Sequence, residues 1–172
     1  MYQVQLRNPH YPNDRLASCI ADILDKERLC SMATVSPMGE SHIHTAYFCV
    51  SDVLEIYFSS NPSTDHGQYL KRFPNAAMAV FDSAQPWDEY HRGLQLFGEC
   101  RLVSNEMSSI AFDLYKDRFP DYGEYVNSLT VEERNSSPYR FYMFIPTKIK
   151  ILDEQEFGEE NFVVVDILRE ER

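Results

Sequence analysis

Apolar positions recur at every second residue through much of the chain. In S-H-I-H-T-A-Y-F-C-V, Ser41–Val50, the residues Ile43, Thr45, Tyr47 and Cys49 fall on one face, and His42, His44, Ala46, Phe48 and Val50 on the other. This is the period of a β-strand. Similar short apolar runs predict strands over 29–36, 54–60, 76–81, 93–103, 139–145, 148–152 and Phe162–Leu168. Two stretches have helical spacing instead. Leu16, Cys19, Ile20, Ile23 and Leu24 predict a helix that Asn13 caps and that runs to about Lys26. Met107, Ile110, Ala111 and Leu114 predict a second, opened by Asn105 and ending near Phe119-Pro120. A short helix is expected over Asp65–Arg72.

The connections follow from turn chemistry. Residues 1–12 read as an extended arm, P-M-G-E at 37–40 as a tight turn, and Ser51-Asp52 as the bend of a hairpin. Residues 82–91 form a polar loop around Pro86 and the only tryptophan, Trp87. Residues 121–138 are expected to be loop with a weak helix. Pro146-Thr147 is expected to break one strand from the next, Phe157-Gly158 to turn, and the final R-E-E-R to be solvated. Gly98, inside a strand pattern, marks a bulge or a close backbone approach. With no repeat or linker, residues 1–172 read as one domain. It is mainly β (α+β), an antiparallel barrel of six to eight strands with helices inserted between them.

Composition narrows the functional classes. Hydrophobic residues make up 44% and charged residues 25%, with Tyr and Phe at 11 each, which is globular and β-rich. A net charge of −11 argues against nucleic acid or an anionic membrane as the main partner. It also means that any anionic ligand needs a locally positive pocket. No apolar run reaches the roughly 20 residues of a membrane span, and the N-terminus lacks a signal pattern. Cys19, Cys30, Cys49 and Cys100 are widely spaced with no C-x-x-C, and three lie in apolar stretches. Reduced, buried thiols in a cytoplasmic protein without a zinc site are the expectation.

The most chemically suggestive stretch is F-S-S-N-P-S-T-D-H-G-Q-Y-L-K-R-F-P, residues 58–74. A strand runs into a hydroxyl-rich turn and then a helix start. Free N–H groups there, with Lys71 and Arg72 further along, suit an oxyanion such as a phosphate. An ordinary capped helix reads the same way. His66 is an anion-facing residue or an exposed helix histidine. His42 and His44 project to one face, but no third ligand stands at a recognisable spacing, so structural roles outweigh a metal pair. His10 and His91 read as bystanders. Arg92 could neutralise an anion or pair with Asp88 or Glu89. Gln95, between Leu94 and Leu96, is either hydrogen-bonded in a buried site or on an exposed face. No G-x-S-x-G and no Cys–His motif points to a hydrolase.

Four segments in order carry a family resemblance: A-T-V-S-P-M-G-E-S-H-I-H-T-A-Y-F, L-E-I-Y-F-S-S, H-G-Q-Y-L-K-R-F-P-N-A-A-M-A-V-F and R-G-L-Q-L-F-G-E-C-R-L-V. Together they resemble the FMN-binding split barrel of the pyridoxamine 5'-phosphate oxidase-like superfamily, in its small single-domain branch. The resemblance implies a split β-barrel, a homodimer with two flavin sites at the subunit interface, and FMN-dependent oxidation or reduction of a small organic substrate. It places His44, Thr45, Ala46 and Tyr47 along the isoalloxazine, and Ser59 and Ser60 near the ring and ribityl chain. Thr64 and His66 fall at the phosphate, which Ser63 beside them is then expected to help hold, and Arg92 and Gln95 in an R-x-x-Q pattern whose Gln faces the flavin. Trp87 and Tyr90 then cover a flavin edge or close the barrel end. Catalytic residues are not assigned by it.

Two departures weigh against the simplest reading. Asp65 stands where many relatives carry Arg, and like charges at ~4 Å repel by about 1 kcal/mol even in water. At the first helical turn it could equally face solvent and favour the helix dipole. The C-terminal arginine and histidine pattern of true pyridoxamine phosphate oxidases is missing, so that specific activity is not expected. A non-catalytic flavin- or haem-binding or sensing protein is the alternative, and a deazaflavin a further cofactor.

Overall fold

The computed structural model describes residues 2–169, so most of the R-E-E-R tail lies outside the described residues. The elements run β1 (Gln5–Arg7), α1 (Asn13–Lys26), β2 (Leu29–Val35), β3 (Ser41–Val50), β4 (Ile56–Ser60), α2 (Asp65–Arg72) and β5 (Asn75–Phe81). They continue with β6 (Arg92–Leu102), α3 (Ser108–Arg118), α4 (Pro120–Ser128), α5 (Val131–Ser136), β7 (Arg140–Asp153), α6 (Glu154–Phe157) and β8 (Phe162–Leu168). Every strand pair is antiparallel. The order β7-β4-β3-β2-β5-β6 closes through β6 back onto β7, making a six-stranded barrel, and β8 and β1 extend the sheet beyond β7. The expected mainly β barrel with peripheral helices is what the chain forms.

β7 makes this geometry possible. Its first residues pair with β4, Lys148 to Leu152 pair with β8, and β6 runs along nearly all of it. The break expected at Pro146-Thr147 does not occur, and the strand is continuous. Phe97 opposes Lys148 and Gly98 opposes Pro146, so Thr147 is the extra residue of a bulge. A proline without an N–H fits a strand only where the ladder is interrupted. Gly98 is the close approach expected: a Cβ there would run into the Ile145 carbonyl and sit 2.7 Å from Pro146 Cα.

Inside the barrel, Met32, Phe48, Ile56, Phe58, Leu94, Leu96, Phe144 and Ile149 pack with Leu16, Ile20 and Leu24 of α1. Asn13 begins α1 but does not cap it. Its Oδ1 accepts the Leu6 N–H at 2.7 Å, tying down the N-terminal arm, which contains the three-residue strand β1 rather than only extended chain. A second cluster, Cys49, Tyr57, Val103, Ala111 and Tyr115, lies between the outside of β3 and β4 and the α3–α4 pair. α3 starts at Ser108, three residues after the expected cap Asn105, and Ile110, expected on its buried stripe, is exposed. The stretch 121–138 is mostly helical: Pro120 opens α4 at its first turn, and Thr130 and Glu133 form a reciprocal capping box on α5. All four cysteines are buried and free. Burial pushes the Cys30 thiol up to about 12. No helix among the described residues is long and apolar enough to cross a membrane.

Candidate functional site

β4 pairs with β3 only from Phe48 to Val50. Beyond that the two strands part, and the start of α2 fills the opening. Asn61 builds the turn: its Oδ1 accepts from Ser63 N (2.9 Å) and Ser63 Oγ (2.8 Å), and its carbonyl accepts from Thr64 Oγ1 (2.7 Å). Thr64 caps α2 by accepting from Gly67 N at 3.4 Å. Position 67 demands glycine, since a Cβ would sit 2.6 Å from the Pro62 carbonyl oxygen. The tight turn drives His66 inward, 8% exposed. Its Nε2 lies 2.7 Å from Ser60 Oγ and 3.0 Å from Thr64 Oγ1. Because Thr64 commits its proton to Asn61, it can only accept from His66, which makes Nε2 the donor.

The His66 ring stacks on that of His44, centroids 3.7 Å apart and planes 11° from parallel. His42 stands 6.2 Å from His44 and 6.1 Å from His66, edge-on to Tyr69. Neither ring nitrogen of His44 reaches solvent or a hydrogen-bond partner. Burial, with His66 and His42 adding like charge, pushes His44 down to about 4. Burial also lowers His66, reinforced by His42 and opposed by Asp65. Two rings stacked face to face cannot both aim a lone pair at one ion, so this trio lacks the geometry of a metal site. Asp65, Lys71 and Arg72 are exposed.

The next residue of β3, Thr45, points outward. It opposes Ser31, which opposes Ala79, which opposes Gln95, which opposes Lys150. Thr45 and Gln95 thus share one row on the outer face, three strands and about 14 Å apart. The adjacent row is Ile43, Ala33, Ala77 and Phe97. Small side chains form the floor, and Leu29, Val35, Ile43, Tyr47, Phe81 and Phe97 stand exposed around it. No outward side chain on β3, β2 or β5 is charged.

The remaining expected residues are dispersed. Ala46 faces inward, its carbonyl accepting from Cys30 Sγ at 3.4 Å. Ser59 opposes Phe141 of β7, on the side of the sheet that α3 and α4 cover. Arg92 and Gln95, three apart on a strand, necessarily point to opposite faces. Arg92 turns inward to Asp22 (2.6 Å) and Asp153 (3.0 Å) rather than to Asp88 or Glu89. It lies four residues, about 13 Å, along β6 from Leu96, the residue in register with His44 through Met32 and Met78. Trp87 and Tyr90 project over an open 1130 Å³ cleft beside Lys26, Glu27 and Arg92, next to α1. His91 pairs with Glu154 at 3.5 Å, and His10 is exposed. Sequence reasoning missed the His44–His66 stack and the contribution of Ser31 and Ala79; the small-residue run A-A-M-A was the only signal for the latter.

A family model for pyridoxamine 5'-phosphate oxidase matches residues 17–153. No curated protein matches the chain in sequence. Among solved structures the fold is similar to a putative pyridoxamine 5'-phosphate oxidase from Listeria innocua (20% identity, TM-score 0.61, 80% of this chain and 98% of that one). It is also similar to a haem-binding protein from Mycobacterium smegmatis (14%, 0.68, 91% and 59%) and to an F420 reductase (22%, 0.53, 75% and 94%). At these identities the likeness speaks for the fold.

Proposed function

The chain belongs to the pyridoxamine 5'-phosphate oxidase family, and on that premise we propose that it binds FMN and acts as a homodimeric oxidoreductase on a small organic substrate. The observation that carries this reading is the meeting of two surfaces on β3. His44 points to a turn suited to an anion, and Thr45 to a bare, uncharged, flat sheet face. The N–H groups of Asp65 and His66, at the start of α2, have no partners within the helix and face a phosphate as donors, and Ser63, Thr64 and His66 would join them by exchanging their internal partners for the anion. The floor of Ser31, Ala33, Ala77 and Ala79 lets a planar ring lie close, and the Gln95 amide offers that ring both a donor and an acceptor.

In this reading the backbone of His44, Thr45, Ala46 and Tyr47 lines the ring, and Ser59 and Ser60 stand toward the ribityl chain. Arg92, held by Asp22 and Asp153, supports the fold instead. Bound FMN would supply the redox chemistry, and the residues of the chain position it and exclude water. The exposed apolar rim of Ile43, Tyr47 and Leu29 is the surface a second copy would cover.

The test is the double variant Thr64→Ala/His66→Ala. It should weaken FMN binding at least tenfold, about 1.4 kcal/mol, in a fluorescence titration; unchanged affinity counts against the assignment. A second reading, a flavin- or haem-binding protein without turnover, is favoured by the closure of the Ser60–Thr64–His66 network on itself with Asp65 beside it. The absorption spectrum of the purified protein identifies a chromophore, with the two visible and near-ultraviolet bands of a flavin expected if the cofactor is bound. Turnover of NAD(P)H with an electron acceptor above that of free FMN then separates enzyme from binder.

A further inference from the structure

We propose that the His44–His66 stack is a proton-operated clasp, which holds the first turn of α2 in the gap between β3 and β4 while both rings are neutral and releases it when the pair takes up protons. The contact is a face-to-face pair 3.7 Å apart, and one member, His44, has neither water nor a hydrogen-bond partner at either nitrogen. A proton on His44 has nothing nearby to receive it, and a proton on each ring places two cations face to face.

The titratable groups facing the stacked pair are His42 from β3 itself and Asp65 and Tyr69 from α2. β2 presents Thr34 and Met32, and β4 presents Phe58 and Ser60, none of them charged. Asp65 is the only carboxylate among these, and it is exposed, where water screens it. Protonation is therefore accommodated by separation.

His66 is the ring that moves. His44 sits within a strand paired to β2, whereas α2 has eight residues and one buried apolar anchor, Leu70. When His66 leaves, the Ser60 hydroxyl and the Thr64 hydroxyl lose their shared partner and the turn opens to solvent. The clasp depends on the phosphate assignment above only for what the released groups would bind, which FMN titration tests separately.

Hydrogen-exchange protection factors, corrected for intrinsic exchange, give the readout in ligand-free protein. Between pH 7 and pH 4.5, amides of residues 65–72 should lose at least tenfold in protection, while those of β5 and β6 hold theirs. In His44→Phe, which keeps an aromatic ring under His66 but cannot be protonated, that loss should disappear. The proposal is overturned if α2 protection does not change with pH, if it falls equally in His44→Phe, or if the whole barrel loses protection together. Should His44→Phe fail to fold, ring-nitrogen NMR of the unaltered protein decides. Titration of His44 and His66 in linked steps, with shifts at Ser60 and Thr64, supports the clasp; independent titration near the ordinary histidine value sinks it.

Discussion

Helices cover both ends of the barrel, α1 at one and α2 at the other, and the two coverings are built from opposite materials. α1 inserts Leu16, Ile20 and Leu24, all fully buried, and finishes its polar edge with an ion cluster: Arg92 donates to Asp22 and Asp153, leaving only its buried Nε without a partner, and Cys19 Sγ donates to Asp153 at 3.4 Å. Arg118 also donates to the Leu24 carbonyl at 2.6 Å. α2 inserts one apolar side chain, Leu70, and beside it the stacked His66 and the unpartnered His44. Burial of polar atoms without partners is costly, so a fold tolerates it where something other than stability sets the residue. In the clasp proposed above, the α1 end holds the barrel shut and the α2 end is the one that changes.

The largest effect should come from the α1 end. Ile20→Ala removes a fully buried side chain from the plug and should cost about 2–5 kcal/mol in urea unfolding. A smaller loss than that seen for the α2 variants would erase the contrast. Next in size is acid. The His44 value near 4 lies below the ordinary 6.5, so below pH 6.5 the unfolded chain takes a proton that the folded chain refuses. Stability from this group is complete above about pH 6.5 and is lost as pH falls toward 4, by about 2 kcal/mol once solvent screening of the partly exposed ring is allowed for. His44→Phe should flatten that part of the stability–pH curve. Arg92→Met leaves Asp153, 6% exposed, without its cationic partner and should cost about 2 kcal/mol, with FMN affinity unchanged. A variant that keeps its stability and loses FMN would move Arg92 into the cofactor site.

The legible parts of this fold are those with a local period. β3 alternates cleanly, α1 repeats at three and four, and α2 lies between a strand and F-P, so all three were readable. What escaped reading depends on partners distant in sequence. β1 has three residues and exists because β8 receives it. β7 crosses Pro146 because β6 continues beside it and one extra residue absorbs the interruption. At the site, Thr45 and Gln95 could be suspected separately, but their common row needs Ser31 and Ala79 between them, which only the register supplies. His42 and His44 read as an incomplete pair because His66, the third ring, arrives from a helix.

The smallest effect separates capping from chemistry at the α2 end. Thr64 accepts from Gly67 N to start the helix and accepts from His66 Nε2 to hold the ring. Thr64→Ala should cost about 1 kcal/mol through the cap. Thr64→Ser retains a hydroxyl and should recover most of that loss, because both hydrogen bonds need only the oxygen. Thermal unfolding of the two variants and FMN titration of each then give independent readings. If the hydroxyl also holds phosphate, Ser restores affinity together with stability. If Ser restores stability and affinity never fell in Ala, Thr64 is a helix cap alone, and the anion site must rest on His66, Ser63 and the backbone of the turn.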